Sequence, residues 1–311
     1  GMNRHVTSGR WGLGLVLSLF TIFVWGGLPI ILKIMLISLD AFTMTWYRFV
    51  VAAVLMALIV YRQGHFALVR RLKGGYALVF LAAVLGFSCA YVFYPQSLQY
   101  ISPSAAQVVN QISLLFLLLG AMLLFHERMT LIQVLGLMLL TGGIVLFFNE
   151  ELAELLSGDS AMIPGIMWVT VAALALSTYT LTQKQLLQIL PTSVILFLIY
   201  LAGSILILPF VRFESLLVQD TRQMILLNAS AVISLVAFVT LVESLKHLEV
   251  FRVSMVLAAV PLVTVVDMMI LAPLLPGLLQ PEHLNLLSIS GAVLVVIGSI
   301  LGNLRRSVRN G

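Results

Sequence analysis

Ten apolar stretches alternate with short polar breaks along the chain, at residues 11–36, 42–61, 75–98, 103–125, 130–149, 162–183, 191–211, 224–245, 251–273 and 285–304. A helix needs about 20 apolar residues to cross the hydrocarbon core of a bilayer. The pattern therefore predicts an all-α integral membrane protein with ten transmembrane helices. The breaks carry capping and turn chemistry: Asp40, the Arg70-Arg71-Leu72-Lys73-Gly74 run, Ser102-Pro103, and the polar stretch from Asn149 to Ser160. Pro273 and Pro276 interrupt the ninth run, and Pro281 precedes the tenth. The first run lacks a small-residue cleavage pattern, so it is expected to be a retained helix and not a signal peptide.

Composition agrees with lipid as the solvent. Of 311 residues, 61% are hydrophobic and 9% charged, whereas a soluble domain carries roughly a quarter of its residues as charges. The net charge of +5 raises nucleic acid as a partner, but the positions of the charges exclude it. With the N-terminus in the cytoplasm and ten crossings, Arg4, Arg10, Arg62, Arg70, Arg71, Lys73, Arg128, Lys184, Lys246, Arg252, Arg305, Arg306 and Arg309 fall inside. Only Lys33, Arg212 and Arg222 fall outside, with Arg48 held within the membrane. Cytoplasmic loops carry such a basic excess. Both termini are therefore expected in the cytoplasm, and the chain in a cell (inner or plasma) membrane with lipid as its partner. Cys89 is the single cysteine, which leaves no intramolecular disulfide and fits a small packing residue.

The two halves of the chain echo each other. Glu127, Gly136 and Gly143 are spaced as are Glu282, Gly291 and Gly298. Gly14 and Lys33 are separated as are Gly165 and Lys184, and Ser97-Leu98 recurs as Ser244-Leu245. Each half holds five apolar runs, an odd number, so two tandem units at 11–149 and 162–304 must insert with opposite orientation. Inverted repeats of this kind surround the central site of secondary transporters.

On these residues the chain resembles the drug/metabolite transporter superfamily, in particular its ten-helix EamA-type exporters. The resemblance rests on Trp25-Gly26 with Lys33, on Arg48, on Glu127 with Gly136 and Gly143, on Pro261, and on Gly291 with Gly298. The first unit has Leu114 where the pattern places the proline that Pro261 supplies in the second, and the second unit has an extra stretch from Pro273 to Gln280. The resemblance implies export of a small metabolite, with amino acids or related zwitterions as the leading class. A drug or cationic amphiphile is the alternative cargo, and a non-transporting accessory subunit is the alternative class.

Chemistry in the chain points to binding, and no enzyme activity is expected. No Gly-x-x-x-x-Gly-Lys-Ser/Thr loop is present, so ATP hydrolysis by that route is excluded. His5, His65, His126, His247 and His283 lie at termini or helix ends without metal-ligand spacing, and no metal or cofactor is expected. A charge at the centre of a membrane helix costs roughly 2.5–3.5 kcal/mol on insertion scales, which marks Arg48 and Asp267. Both are expected in the outer part of the membrane at similar depth. Arg48 offers a fork of donors to a carboxylate or phosphate. Asp267 offers a site for an amine or a coupling proton, and an Arg48–Asp267 ion pair is the structural alternative. Gln107, Asn110 and Gln111 share a helix face by the i, i+3, i+4 rule, lining a cavity or bonding between helices. Trp25, Tyr91, Tyr94, Tyr179 and Tyr200 complete the candidate substrate-binding set. Glu243, Lys246, Glu249 and Arg252 alternate in sign between the eighth and ninth runs, as a solvated loop or a gate.

Overall fold

The computed structural model describes residues 8–248 and 250–304. Arg4, His5, Glu249, Arg305, Arg306 and Arg309 lie outside the described residues, as do both chain ends on which the expected orientation partly rests. Among the described residues the chain is all-helical, without a strand. In order the helices are α1 (Trp11–Met35), α2 (Ala41–Gln63), α3 (Gly75–Ser97), α4 (Pro103–Asn110), α5 (Ser113–Phe125), α6 (Leu131–Phe147) and α7 (Leu152–Ser157). They continue as α8 (Ile163–Leu186), α9 (Thr192–Ile207), α10 (Phe213–Leu217), α11 (Thr221–Ser244), α12 (Val250–Leu257), α13 (Val260–Leu274) and α14 (Leu286–Gly302).

The polar breaks act as helix starts. Asp40 caps α2 through the Thr43 N–H, Ser102 caps α4 through Ala105 with Pro103 in the first turn, and Thr130 with Gln133 forms a capping box on α6. Asp220 and Asn285 do the same for α11 and α14. Each side-chain oxygen accepts from an N–H that has no partner inside the helix.

Two details go beyond the pattern of uniform runs. The fourth and ninth runs are each broken, at 111–112 and at 258–259, so that α4 and α5 form one interrupted span and α12 and α13 another. With each broken run taken as one span, eight helices among the described residues are long and apolar enough to cross a membrane. The fifth and tenth runs give α6 and α14, of 17 residues each. At 1.5 Å per residue these reach about 25 Å, at the lower limit of what spans a hydrocarbon core of about 30 Å.

Helices pack in a connected bundle. α1 lies against α11, α12 and α13, while α8 lies against α3, α4 and α5. α2 packs on α9, and α6 on α14. One buried cluster gathers Phe49, Phe87, Ile195 and Ile199 between α2, α3, α8 and α9. A second gathers Met35, Leu98, Leu140 and Val295 around α1, α4, α6 and α14. Outward faces remain apolar, as at Leu78, Leu81 and Leu85 on α3 and Leu123 on α5, because their solvent is lipid.

α6 and α14 approach backbone to backbone. A Cβ built on Gly143 would stand 2.6 Å from the Gly291 carbonyl oxygen, and one on Gly298 would stand 2.5 Å from that of Gly136. The four glycines that recur at matching intervals in the sequence thus face each other across one crossing. Absence of side chains there lets van der Waals contact hold two membrane helices that gain nothing from hydrophobic exclusion.

Candidate functional site

Proline positions prepare the walls of a central cavity. Pro29 inside α1 has no N–H for the Trp25 carbonyl four residues back, and Gln107 Nε2 from α4 donates to that oxygen at 3.2 Å. Pro95 inside α3 likewise frees the Tyr91 carbonyl, which accepts from Thr45 Oγ1 of α2 at 3.0 Å. In lipid each freed carbonyl must find a partner within the protein. These two bonds therefore lock α1 to α4 and α3 to α2 beside Trp25 and Tyr91.

The cavity, of about 400 Å³, lies among α1, α2, α3, α4, α8, α9 and α11, with the α12–α13 break at its edge. Trp25, Arg48, Tyr91, Tyr94, Gln107, Asn110, Gln111, Tyr179 and Tyr200 all line it. Asp267 does not. Thr264, one turn earlier on α13, donates from Oγ1 to the Gly26 carbonyl at 2.7 Å. That bond fixes the rotation of α13 so that Asp267 lies beside Gly27. Depth along the helix brought Arg48 and Asp267 level in the sequence reading, but helix rotation separates them. No ion pair joins them among the described residues.

Arg48 is 5% exposed. Its Nη2 donates to Ser234 Oγ on α11 at 3.1 Å, and Ser234 in turn donates to the Ser230 carbonyl at 2.5 Å. The serine proton is committed along its own helix, which leaves an oxygen lone pair for the guanidinium. Arg48 Nε is buried without a partner. A guanidinium has five N–H donors, so most of its capacity is unspent. Phe49, 1% exposed, anchors the backbone beside it through ring contacts with Phe87 and Tyr200 at 5.5 and 5.4 Å between centroids.

The three amides divide their roles. Gln107 donates its Nε2 to Trp25, so the interhelical alternative holds for that group, and it also faces the cavity. Gln111 Oε1 accepts from Ser299 of α14 at 3.4 Å. Asn110 has no protein hydrogen-bond partner among the described residues and keeps its amide toward the cavity. The Tyr94 hydroxyl is buried and also without a partner.

Sequence reasoning missed Phe87 and Ser234. Phe87 is the hub of the aromatic wall, with Tyr91 stacked at 4.3 Å and Tyr179 and Tyr200 edge-on at 4.8 and 5.3 Å. Its signal was present, because Phe87, Tyr91 and Tyr94 follow an i, i+4, i+7 stripe. Ser234 had only its i+4 spacing from Ser230.

Two further cavities adjoin the first. One of about 260 Å³ shares Gln111, Leu176 and Leu257 with it, and one of about 580 Å³ shares Leu114, Leu117, Thr180 and Asn303 with the second. The largest is walled by Glu127 and Lys184, which pair at 3.6 Å with both side chains partly exposed. A chain of cavities thus runs from Arg48 toward that charged pair. At the other end Lys33 Nζ donates to the Leu98 carbonyl and, at 3.5 Å, to that of Ile101. Glu282 there accepts from the Ser104 N–H at 3.4 Å.

The EamA-like transporter family matches residues 12–149 and again 163–304. The chain belongs to that family. An uncharacterized transporter of Haemophilus influenzae is 32% identical over 290 residues, covering 93% of this chain and 94% of the relative. The uncharacterized inner membrane transporter YhbE of Escherichia coli K12 is 30% identical, covering 93% of this chain and 90% of the relative. A solved crystal structure aligns with TM-score 0.62 and 18% identity over 97% of this chain and 100% of that one, a likeness of fold alone. The protein is therefore a transporter of the EamA family, within the drug/metabolite transporter superfamily, and a multi-pass protein of the inner membrane.

Proposed function

We propose that this EamA-family protein is a secondary transporter that exports a small carboxylate-bearing metabolite, a class that includes amino acids and related zwitterions, by alternating access. Arg48 carries the substrate reading. A guanidinium buried in a cavity with no counter-charge has a fork of donors for a carboxylate, and an entering anion relieves the cost of the uncompensated charge.

Two opposed five-helix units, 11–149 and 162–304, would provide the alternation. Several observations support them. Exchanging the halves turns the α1–α11 contact into α8–α3, α1–α13 into α8–α5, and α2–α11 into α9–α3, and all six occur. The helix breaks at 111–112 and 258–259 are 147 residues apart, as are Ser97 and Ser244. Interrupted helices at matching places in two halves mark binding regions in transporters.

Under this reading the ion pair Lys184–Glu127 and the residues Lys33 and Glu282, which bond to backbone groups, are one set of charges repeated at opposite ends. The ion pair borders the largest cavity, and the second set is engaged with backbone groups of the loop and helix after α3. The conformation is then open at the Glu127 end. The excess of lysine and arginine assigns that end to the cytoplasm, where cargo for export is loaded. Asp267, outside the cavity, is given no substrate contact.

Counterflow into proteoliposomes tests the reading with a labelled panel of amino acids and organic acids. Exchange is expected in the unmodified protein and at least a tenfold loss in Arg48→Gln, with the variant still monodisperse. Exchange of a cationic amphiphile that survives Arg48→Gln would move the protein to the drug exporters. No exchange across the panel would leave an accessory role.

A further inference from the structure

We propose that the cavity selects an organic monoanion with a flat apolar body, an aryl or arylalkyl carboxylate without an ammonium group. This inference rests on the transport reading for the purpose of binding and narrows its substrate class.

Charge carries the argument. Arg48 is the one ionised side chain among the described residues that line the cavity, and no aspartate or glutamate joins it. An organic monoanion supplies the missing charge and nothing else. A zwitterion that docks the same carboxylate brings its ammonium two bonds from the carboxylate carbon. That forces a second cation close to the guanidinium in a site of low dielectric, where like charges repel strongly. An ammonium removed from water also needs acceptors. Gln107 Nε2 donates to Trp25 and Gln111 Oε1 accepts from Ser299, which leaves Gln107 Oε1, Asn110 and Gln183 as neutral acceptors, none of them a carboxylate that would balance a second positive charge.

The ring cluster around Phe87 does not replace the missing acid. A cation box needs open ring faces around the charge. Here Phe87 is covered by Tyr91 stacked at 4.3 Å and ringed by the edges of Tyr179 and Tyr200. The rings serve instead as a firm apolar side for a flat body whose carboxylate reaches Arg48. A cavity of about 400 Å³ falls in the range of small-molecule sites.

Four compounds of one shape test the proposal: 3-phenylpropionate, L-phenylalanine, 2-phenylethylamine and 3-phenylpropanamide. Binding to the full chain in detergent is followed by calorimetry and thermal shift in chloride-free buffer. Phenylpropionate is expected to bind at least tenfold more tightly than phenylalanine, the amine not to compete, and Arg48→Gln to bring phenylpropionate down to the level of the amide. Should that variant fail to fold, Ser234→Ala keeps the charge but removes its anchor, and is expected to weaken phenylpropionate more than the amide.

Phenylalanine binding as tightly as phenylpropionate, binding of the amine, stabilisation by chloride but by no organic acid, or no binding at all would overturn the proposal. Counterflow separates it from the broader reading. Phenylpropionate that binds without exchanging refutes transport and leaves the selectivity standing. Phenylalanine that exchanges while phenylpropionate does not refutes the selectivity and leaves transport standing.

Discussion

Gly143 and its neighbour Gly142 on α6 should respond in opposite directions to the same substitution. Gly143 is buried, and an added Cβ would stand 2.6 Å from the Gly291 oxygen and 2.8 Å from the Val295 nitrogen, where ordinary contact begins at 3.4 Å. Gly143→Ala therefore needs about 0.8 Å of separation, the difference between 3.4 and 2.6. The obstacle is backbone on a packed helix, which cannot yield by changing a rotamer. Forcing a methyl group into such a contact costs about 1–3 kcal/mol. Gly142 is exposed on the lipid side, and a Cβ there meets nothing within 4 Å. Both substitutions gain the same helix propensity, about 1 kcal/mol, so the difference between them isolates the packing term. Gly142→Ala is expected to be neutral or stabilising and Gly143→Ala destabilising, with a gap of about 1–3 kcal/mol. That corresponds to several degrees in a chain of this size. Thermal unfolding of the purified variants, followed by loss of the monodisperse peak, measures it. A Gly143→Ala protein as stable as Gly142→Ala would refute the backbone contact between α6 and α14.

The proline-freed carbonyl makes a thermodynamic cycle. Gln107→Leu leaves the Trp25 oxygen without its donor and should cost about 1–3 kcal/mol. In a Pro29→Ala background, where the helix regains an N–H for that oxygen, the cost should shrink by roughly 1 kcal/mol, and strict additivity in unfolding measurements would count against the account. Access can be read directly by labelling. Thr180→Cys, in a Cys89→Ser background, places a thiol on the wall shared by the two cavities nearer Glu127. A membrane-impermeant maleimide should reach it from the cytoplasmic face, and labelling confined to the opposite face would reverse the assigned orientation.

Local chemistry made much of this protein legible in its sequence. Long apolar runs and their caps set the helices, because hydration and hydrogen bonding of a segment depend on residues a few positions away. The price of placing polar groups in lipid singled out Arg48 and the α4 amides, and with the aromatics they line one cavity. Of the ten expected spans eight reach the usual length, and α6 and α14 stop at its lower limit because turns at Phe148 and Asn303 end them. The break between α4 and α5 was unmarked as well, since Leu114 supplies no proline such as Pro261.

Asp267 shows where local reasoning ends. Its depth could be counted along the chain, but each residue turns the helix by about 100°, and the Thr264–Gly26 bond decided which way it faced. The same holds for Ser234 opposite Arg48, Gln107 at the Trp25 carbonyl, and Gly291 against Gly143. Composition and spacing determined that these residues belong in a membrane bundle and recur at matching intervals. Which of them meet was decided by the tertiary structure alone, because helix rotation and crossing are set by contacts between segments far apart in the chain.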